Sequence, residues 1–127
     1  VIKHIFQDIK WFCQRGKRGW ADCDVWDFND YLAGIIIAGL ERLKKEHHGC
    51  SSEFWDEKVE NDECHKWSET LEIMIQGFKA YKDSYDEPKW IKGKFKQEID
   101  SKKIDLLEKK FQHGIKLFAK YFAHLWD

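Results

Sequence analysis

Proline occurs once in the 127 residues, at Pro88, so little in the chain forbids long helices. Glycine numbers eight and methionine one, and no segment is biased enough to read as linker or low complexity. Charge of one sign is not in excess. Lys+Arg number 22 against 23 Asp+Glu, for a formal net charge of −1. A protein that coats nucleic acid is usually basic overall, so general nucleic-acid binding is not expected. No apolar run approaches the ~20 residues of a membrane span. The longest, Ile35 to Ala38, lies inside an amphipathic pattern, and no membrane partner is expected. The N-terminal stretch is amphipathic rather than a charged start followed by an apolar stretch, which makes an intracellular location the expectation. There is no Walker loop, no Rossmann glycine pattern and no His-Glu-x-x-His. No cofactor and no metal is expected.

Aromatic residues are abundant. Seven Trp and nine Phe lift the aromatic fraction to 16%, and each such ring can bury about 150–250 Å². A chain of this length suits one domain, taken here as residues 1–127, built on a tryptophan-rich core. Cys13, Cys23, Cys50 and Cys64 lack a secretory context, so they are expected as reduced thiols.

The periodicity is helical. Ile2, Ile5, Phe6, Ile9 and Phe12 recur at helical spacing over Ile2 to Gln14, giving one apolar face. Gly16 and Gly19 are expected to end that helix in a basic turn. A second helix is predicted to follow Asp27 and carry Phe28, Tyr31, Leu32, Ile35, Ile36, Leu40 and Leu43. Gly49 would be its left-handed stop, with Lys44 and Lys45 complementing the helix dipole. Phe54 and Trp55 are expected to pin the following connection to the core. A third helix is predicted from about Asp62 to Asp83, with Trp67, Leu71, Met74, Ile75 and Phe78 inward. After the break at Asp86-Glu87-Pro88, Trp90, Ile91 and Phe95 lead into a charged stretch for which partial helix is expected. The last helix is predicted from about Asp100 to the C-terminus, with Trp126 docked. Gly114 sits inside it at a cost of about 1 kcal/mol against Ala, which close helix packing would justify. The fold class is therefore all-α, a compact bundle of about four main helices.

The densest chemistry lies between Gln14 and Tyr31. Arg15, Lys17 and Arg18 stand beside Trp20 and Trp26, with Asp22, Asp24, Asp27 and Asp30 close behind. Arginine forks hold phosphate or carboxylate bidentately, glycines let backbone N–H groups approach an anion, and indoles stack on bases. The candidate site for an anionic, nucleotide-like ligand is Arg15, Arg18, Trp20, Asp24, Trp26, Asn29 and Tyr31. The competing reading is structural: aspartates cap helices, tryptophans fill the core, and arginines pair with aspartates. The alternative function is a phosphodiesterase or nuclease using a divalent metal on the Asp22–Asp30 carboxylates, although the spacing fits no calcium loop. His47, His48, Cys50, Cys64 and His65 make a looser zinc candidate. Adjacent helical residues diverge by about 100°, so Cys64 and His65 could hardly share one ion.

The segment Gln14-Arg15-Gly16-Lys17-Arg18-Gly19-Trp20-Ala21-Asp22-Cys23-Asp24-Val25-Trp26, followed by Tyr31-Leu32-Ala33, resembles a family of small proteins encoded in phages and prophages of Gram-positive bacteria. Leu71–Phe78 and Gly114–Trp126 resemble it too. In that family an Asp often follows the second Trp of the motif by three residues; here that position is Asn29. The resemblance implies a phage gene acting in the cytoplasm of the bacterial host. Small accessory phage proteins are often counter-defence factors that bind rather than catalyse. The expected partners are an anionic small ligand or a host defence protein, with a second copy of the chain as a further partner.

Overall fold

The computed structural model describes residues 2–54, 64–85 and 94–126. Four α-helices account for most of them: α1 Ile2–Arg18, α2 Phe28–Glu46, α3 His65–Tyr85 and α4 Lys94–Lys120. Short 3-10 turns stand at Asp22–Val25, Ser52–Phe54 and Phe122–His124. No strand occurs among the described residues, so the all-α expectation holds. None of the described helices is long and apolar enough to cross a membrane. The chain divides into two compact units, residues 1–34 and 35–127.

In the second unit, the C-terminal half of α2 packs with α3 and α4. Leu40 of α2 joins Phe54, Trp67, Leu71, Met74 and Ile75 in one buried cluster. The inner stripe predicted for α3 supplies four members of this cluster, Trp67, Leu71, Met74 and Ile75, and its fifth residue, Phe78, is also buried. Phe54 holds the connection down as expected, its ring 4.7 Å from Trp67 and 4.9 Å from Tyr121. Trp55, paired with it in the prediction, falls outside the described residues, as do Asp62, Pro88, Trp90 and Ile91. Phe78 meets Phe111 and Phe118 edge-on at 5.8 and 5.3 Å, the arrangement aromatic quadrupoles favour. Outside the core, Lys44 pairs with Glu72 at 2.6 Å and Lys79 with Glu41 at 2.7 Å, tying α2 to α3.

Helices α3 and α4 cross at Gly77 and Gly114. A methyl group at either position would lie 2.8 Å from the Cα of the other glycine. This is the close packing that the mid-helix Gly114 implied. Helix α4 begins at Lys94, earlier than predicted, and stops at Lys120 instead of running to the end. Phe122–His124, beyond the helix, form the 3-10 turn, and Trp126 remains half exposed at the rim of an apolar groove with Leu125, Leu43 and Phe118.

Three further expectations need correction. Gly49 does not carry a left-handed stop, because Gly19 is the positive-φ glycine among the described residues; α2 ends at Glu46 without it. Among the described residues, the tryptophans do not make a shared core. Trp67 is 1% exposed, whereas Trp26 is 76% exposed and Trp20 also faces solvent. Cys50 and Cys64 are joined as a disulfide, while Cys13 and Cys23 are free thiols. The fold brings the ends of the 50–64 connection together, with both sulfur-bearing residues against the core cluster. That proximity is a tertiary fact that residue spacing does not contain. It also places both zinc-candidate thiols in a covalent bond.

Two stability measurements check this packing. Gly114→Ala should cost about 1–3 kcal/mol through backbone overlap, whereas Gly39→Ala, with open space around its Cα, should gain about 0.4–1 kcal/mol. Equal effects in thermal melts would contradict the crossing. Cys50→Ser/Cys64→Ser should cost about 2–3 kcal/mol, the value for a loop near 15 residues, and the melt of the variant should be insensitive to reductant.

Candidate functional site

Helix α1 runs through Gly16, four residues past its predicted end, and stops at Gly19. Gly19 adopts φ +83° and donates its N–H to the Arg15 carbonyl at 2.9 Å. This left-handed cap is open to glycine at no steric cost, and it reverses the chain onto the helix it has just left. Residues 20–26 then lie along one side of α1.

Polar side chains hold that return. The Arg15 guanidinium donates bidentately to Asp24, Nε to Oδ2 at 2.9 Å and Nη2 to Oδ1 at 2.5 Å. Asp24 Oδ2 also accepts the Ala21 N–H at 2.7 Å, and Asp24 returns its own N–H to the Ala21 carbonyl at 3.0 Å. This closes the 3-10 turn in the manner of half a capping box. Arg18 pairs with Asp22, donates Nε to the Trp20 carbonyl at 3.0 Å, and lies 3.8 Å over the Trp20 ring. Gln14 grips Asp22 twice, donating Nε2 to its carboxylate at 2.7 Å and accepting its backbone N–H at 2.9 Å. Tyr31, from the first turns of α2, donates its hydroxyl to the Gly19 carbonyl at 2.6 Å. Trp26 meets Trp11 edge-on at 6.2 Å.

Electrostatics follow from this geometry. The Arg15 fork, with help from the Ala21 N–H, holds the Asp24 carboxyl down at about 2, although burial of its side chain opposes the shift. Arg15 is raised in turn by the same bond. Gln14 and then Arg18 keep Asp22 below the ordinary carboxylate range. The positive charge expected to clamp an anion therefore faces carboxylates of the same segment.

The structure brings Arg15, Arg18, Trp20, Asp24 and Tyr31 into one network. Trp26 lies on its edge against Trp11, and Asn29 is an exposed residue at the start of α2. Among the described residues, no group of three or more His, Cys, Asp or Glu side chains converges as a metal site. Two members of the network were not singled out by sequence: Gln14 and Trp11. Both stand one helical turn from Arg18 or Arg15 on α1, a spacing visible once the return of the chain is known.

The same geometry decides which side of α1 the first unit leaves uncovered. At 100° per residue, Trp11, Gln14, Arg15 and Arg18 share a polar side, and residues 20–26 lie on it. The opposite arc carries Ile2, Ile5, Phe6, Ile9 and Phe12. A helix in a bundle would bury such an arc; here no residue of α1 is buried. Phe6 is 69% exposed and Phe12 76%. The five side chains present on the order of 600 Å² of apolar surface, the upper end of what a monomer ordinarily carries and a mark of an interaction site.

No protein-family model matches the chain, and comparisons with curated proteins and with solved structures also give no match.

The Arg15–Asp24 pair generates a pH signature. The folded carboxyl sits at about 2 against an ordinary 3.8, so its stabilisation is fully present above 3.8. It is lost as pH falls through that value towards 2. The Trp20 and Trp26 indole resonances should move towards their unfolded positions over that window. In Asp24→Asn they should already be displaced at neutral pH, and unchanged resonances there would contradict the role given to the pair.

Proposed function

We propose that this protein is a phage-encoded, non-enzymatic binding protein that holds a protein partner on the exposed apolar face of α1. The observation that carries this reading is the pairing of the two sides of that helix. Its polar side is occupied by residues 20–26, and its apolar side, with two Phe and three Ile at helical spacing, faces solvent. Full burial of one such side chain is worth about 1.5–3 kcal/mol. A few of them suffice for the hot spot of an interface after the costs of association. An i, i+3, i+4, i+7 row of anchors is the form in which a helix enters a groove.

The anionic-ligand reading draws less from the geometry. A phosphate at Arg15 or Arg18 would have to displace Asp24 or Asp22, each already hydrogen-bonded from more than one side. Metal-dependent phosphodiester cleavage draws less again, since Asp22 and Asp24 spend their oxygens on arginine, glutamine and backbone donors. Sequestration of a host defence protein suits the phage setting that the sequence resemblance implies.

The test is site-specific photo-crosslinking in host cells. A photoreactive residue at Phe12 should give a discrete adduct with another polypeptide, weakened at least fivefold by Phe6→Asp in the same chain. The same residue at Lys116, an exposed position of α4, should not. Absence of any discrete adduct from Phe12 would overturn the reading.

A further inference from the structure

Accepting α1 as the contact surface, its charge pattern says what the partner must look like. The helix carries Lys3, Lys10, Arg15, Lys17 and Arg18 against a single Asp8. Both arginines are neutralised by Asp24 and Asp22. Lys3, Lys10 and Lys17 make no ion pair among the described residues, although Lys10 lies close enough to help lower Asp22. The three lysines are spaced seven residues apart, so they fall within about 40° of one another and about 10 Å apart along the axis. They form one edge of the apolar arc, next to Phe6. The other edge, next to Phe12, carries Asp8. The face is therefore polarised: basic along one side and acidic at one point on the other.

The geometry points to a protein partner with an apolar groove rimmed on one side by carboxylates, into which α1 lays its Ile and Phe row with the lysine edge along the acidic rim. Two other occupants fit this pattern less well. An anionic bilayer would bring Asp8, beside Phe12, among lipid phosphates, whereas interfacial helices keep their polar face rich in Lys and Arg. A second copy in antiparallel register would set lysine edge against lysine edge. In parallel register it would offer three lysines one aspartate and an arginine already paired. A one-sided acidic rim satisfies the lysines and fixes the direction in which the helix enters.

The experiment uses the full chain, fluorescently labelled at a residue of unit two, and calcium-loaded calmodulin as a probe groove that is apolar and acid-rimmed. Vesicles of phosphatidylglycerol and phosphatidylcholine, and sedimentation equilibrium of the chain alone, run beside it. Circular dichroism confirms that each variant keeps its helicity. The wild type should bind the probe, and Lys3→Glu/Lys10→Glu/Lys17→Glu should weaken binding at least about tenfold and flatten its salt dependence. Phe6→Asp/Phe12→Asp should abolish binding. If the lysine variant binds within twofold of wild type while the Phe variant fails, the acidic rim is wrong and the apolar contact surface stands. If the Phe variant binds as well as wild type, the contact surface itself is wrong. Failure of the wild type to bind the probe overturns the acidic groove, as does vesicle binding or dimerisation in its place.

Discussion

A bidentate ion pair between Arg15 and Asp24 determines which side of α1 meets the rest of the first unit. The guanidinium is near the end of the helix, and the carboxylate is nine residues on, in a 3-10 turn that the left-handed Gly19 swings back into reach. Asp24 is 8% exposed as a residue, so its charge is retained only because Arg15 and the Ala21 N–H compensate it. Removing one partner of such a pair leaves a poorly solvated charge, which is far more damaging than the net worth of the pair. Gln14, Arg18, Trp20 and Tyr31 add their bonds to the same return of the chain. Together they commit the polar side of α1 to internal structure and leave its hydrophobic side uncovered within the first unit, the reverse of the usual order.

The second unit shows the ordinary order. Its core is apolar and aromatic, it is crossed by two facing glycines, and its ion pairs lie outside, where exposed pairs contribute little beyond register. The same chain thus contains a packed core in residues 35–127 and, earlier in sequence, a helix whose apolar residues find no cover within residues 1–34. The difference in how the two amphipathic patterns are used is the ground for the binding role proposed for the first unit.

Much of the second unit was legible in the residues. The α3 stripe reads directly from a 3.6-residue period, and the conformational penalty of Gly114 signals a close crossing without naming the partner glycine. The aromatic period of α4 is likewise plain, but its start at Lys94 was hidden in a charged stretch with few apolar markers. The Cys50–Cys64 bond was not legible, since spacing does not say whether the fold brings two thiols together. In the first unit, composition revealed the ingredients of the Arg–Asp network and left open whether its charges faced a ligand or each other. Periodicity showed that α1 has an apolar face. It could not show that the chain would return along the opposite side, because that depends on the backbone sign of one glycine and on pairings eight and nine residues apart.

Hydroxyl-radical footprinting of the monomeric chain tests the outward apolar face most directly. Phe6 and Phe12 should be oxidised about as readily as Phe122, which is 65% exposed, while Trp67 and Met74 stay protected. Protection of Phe6 and Phe12 at the level of Phe78 would show that the arc is already covered within the chain, and the binding surface proposed for α1 would not exist.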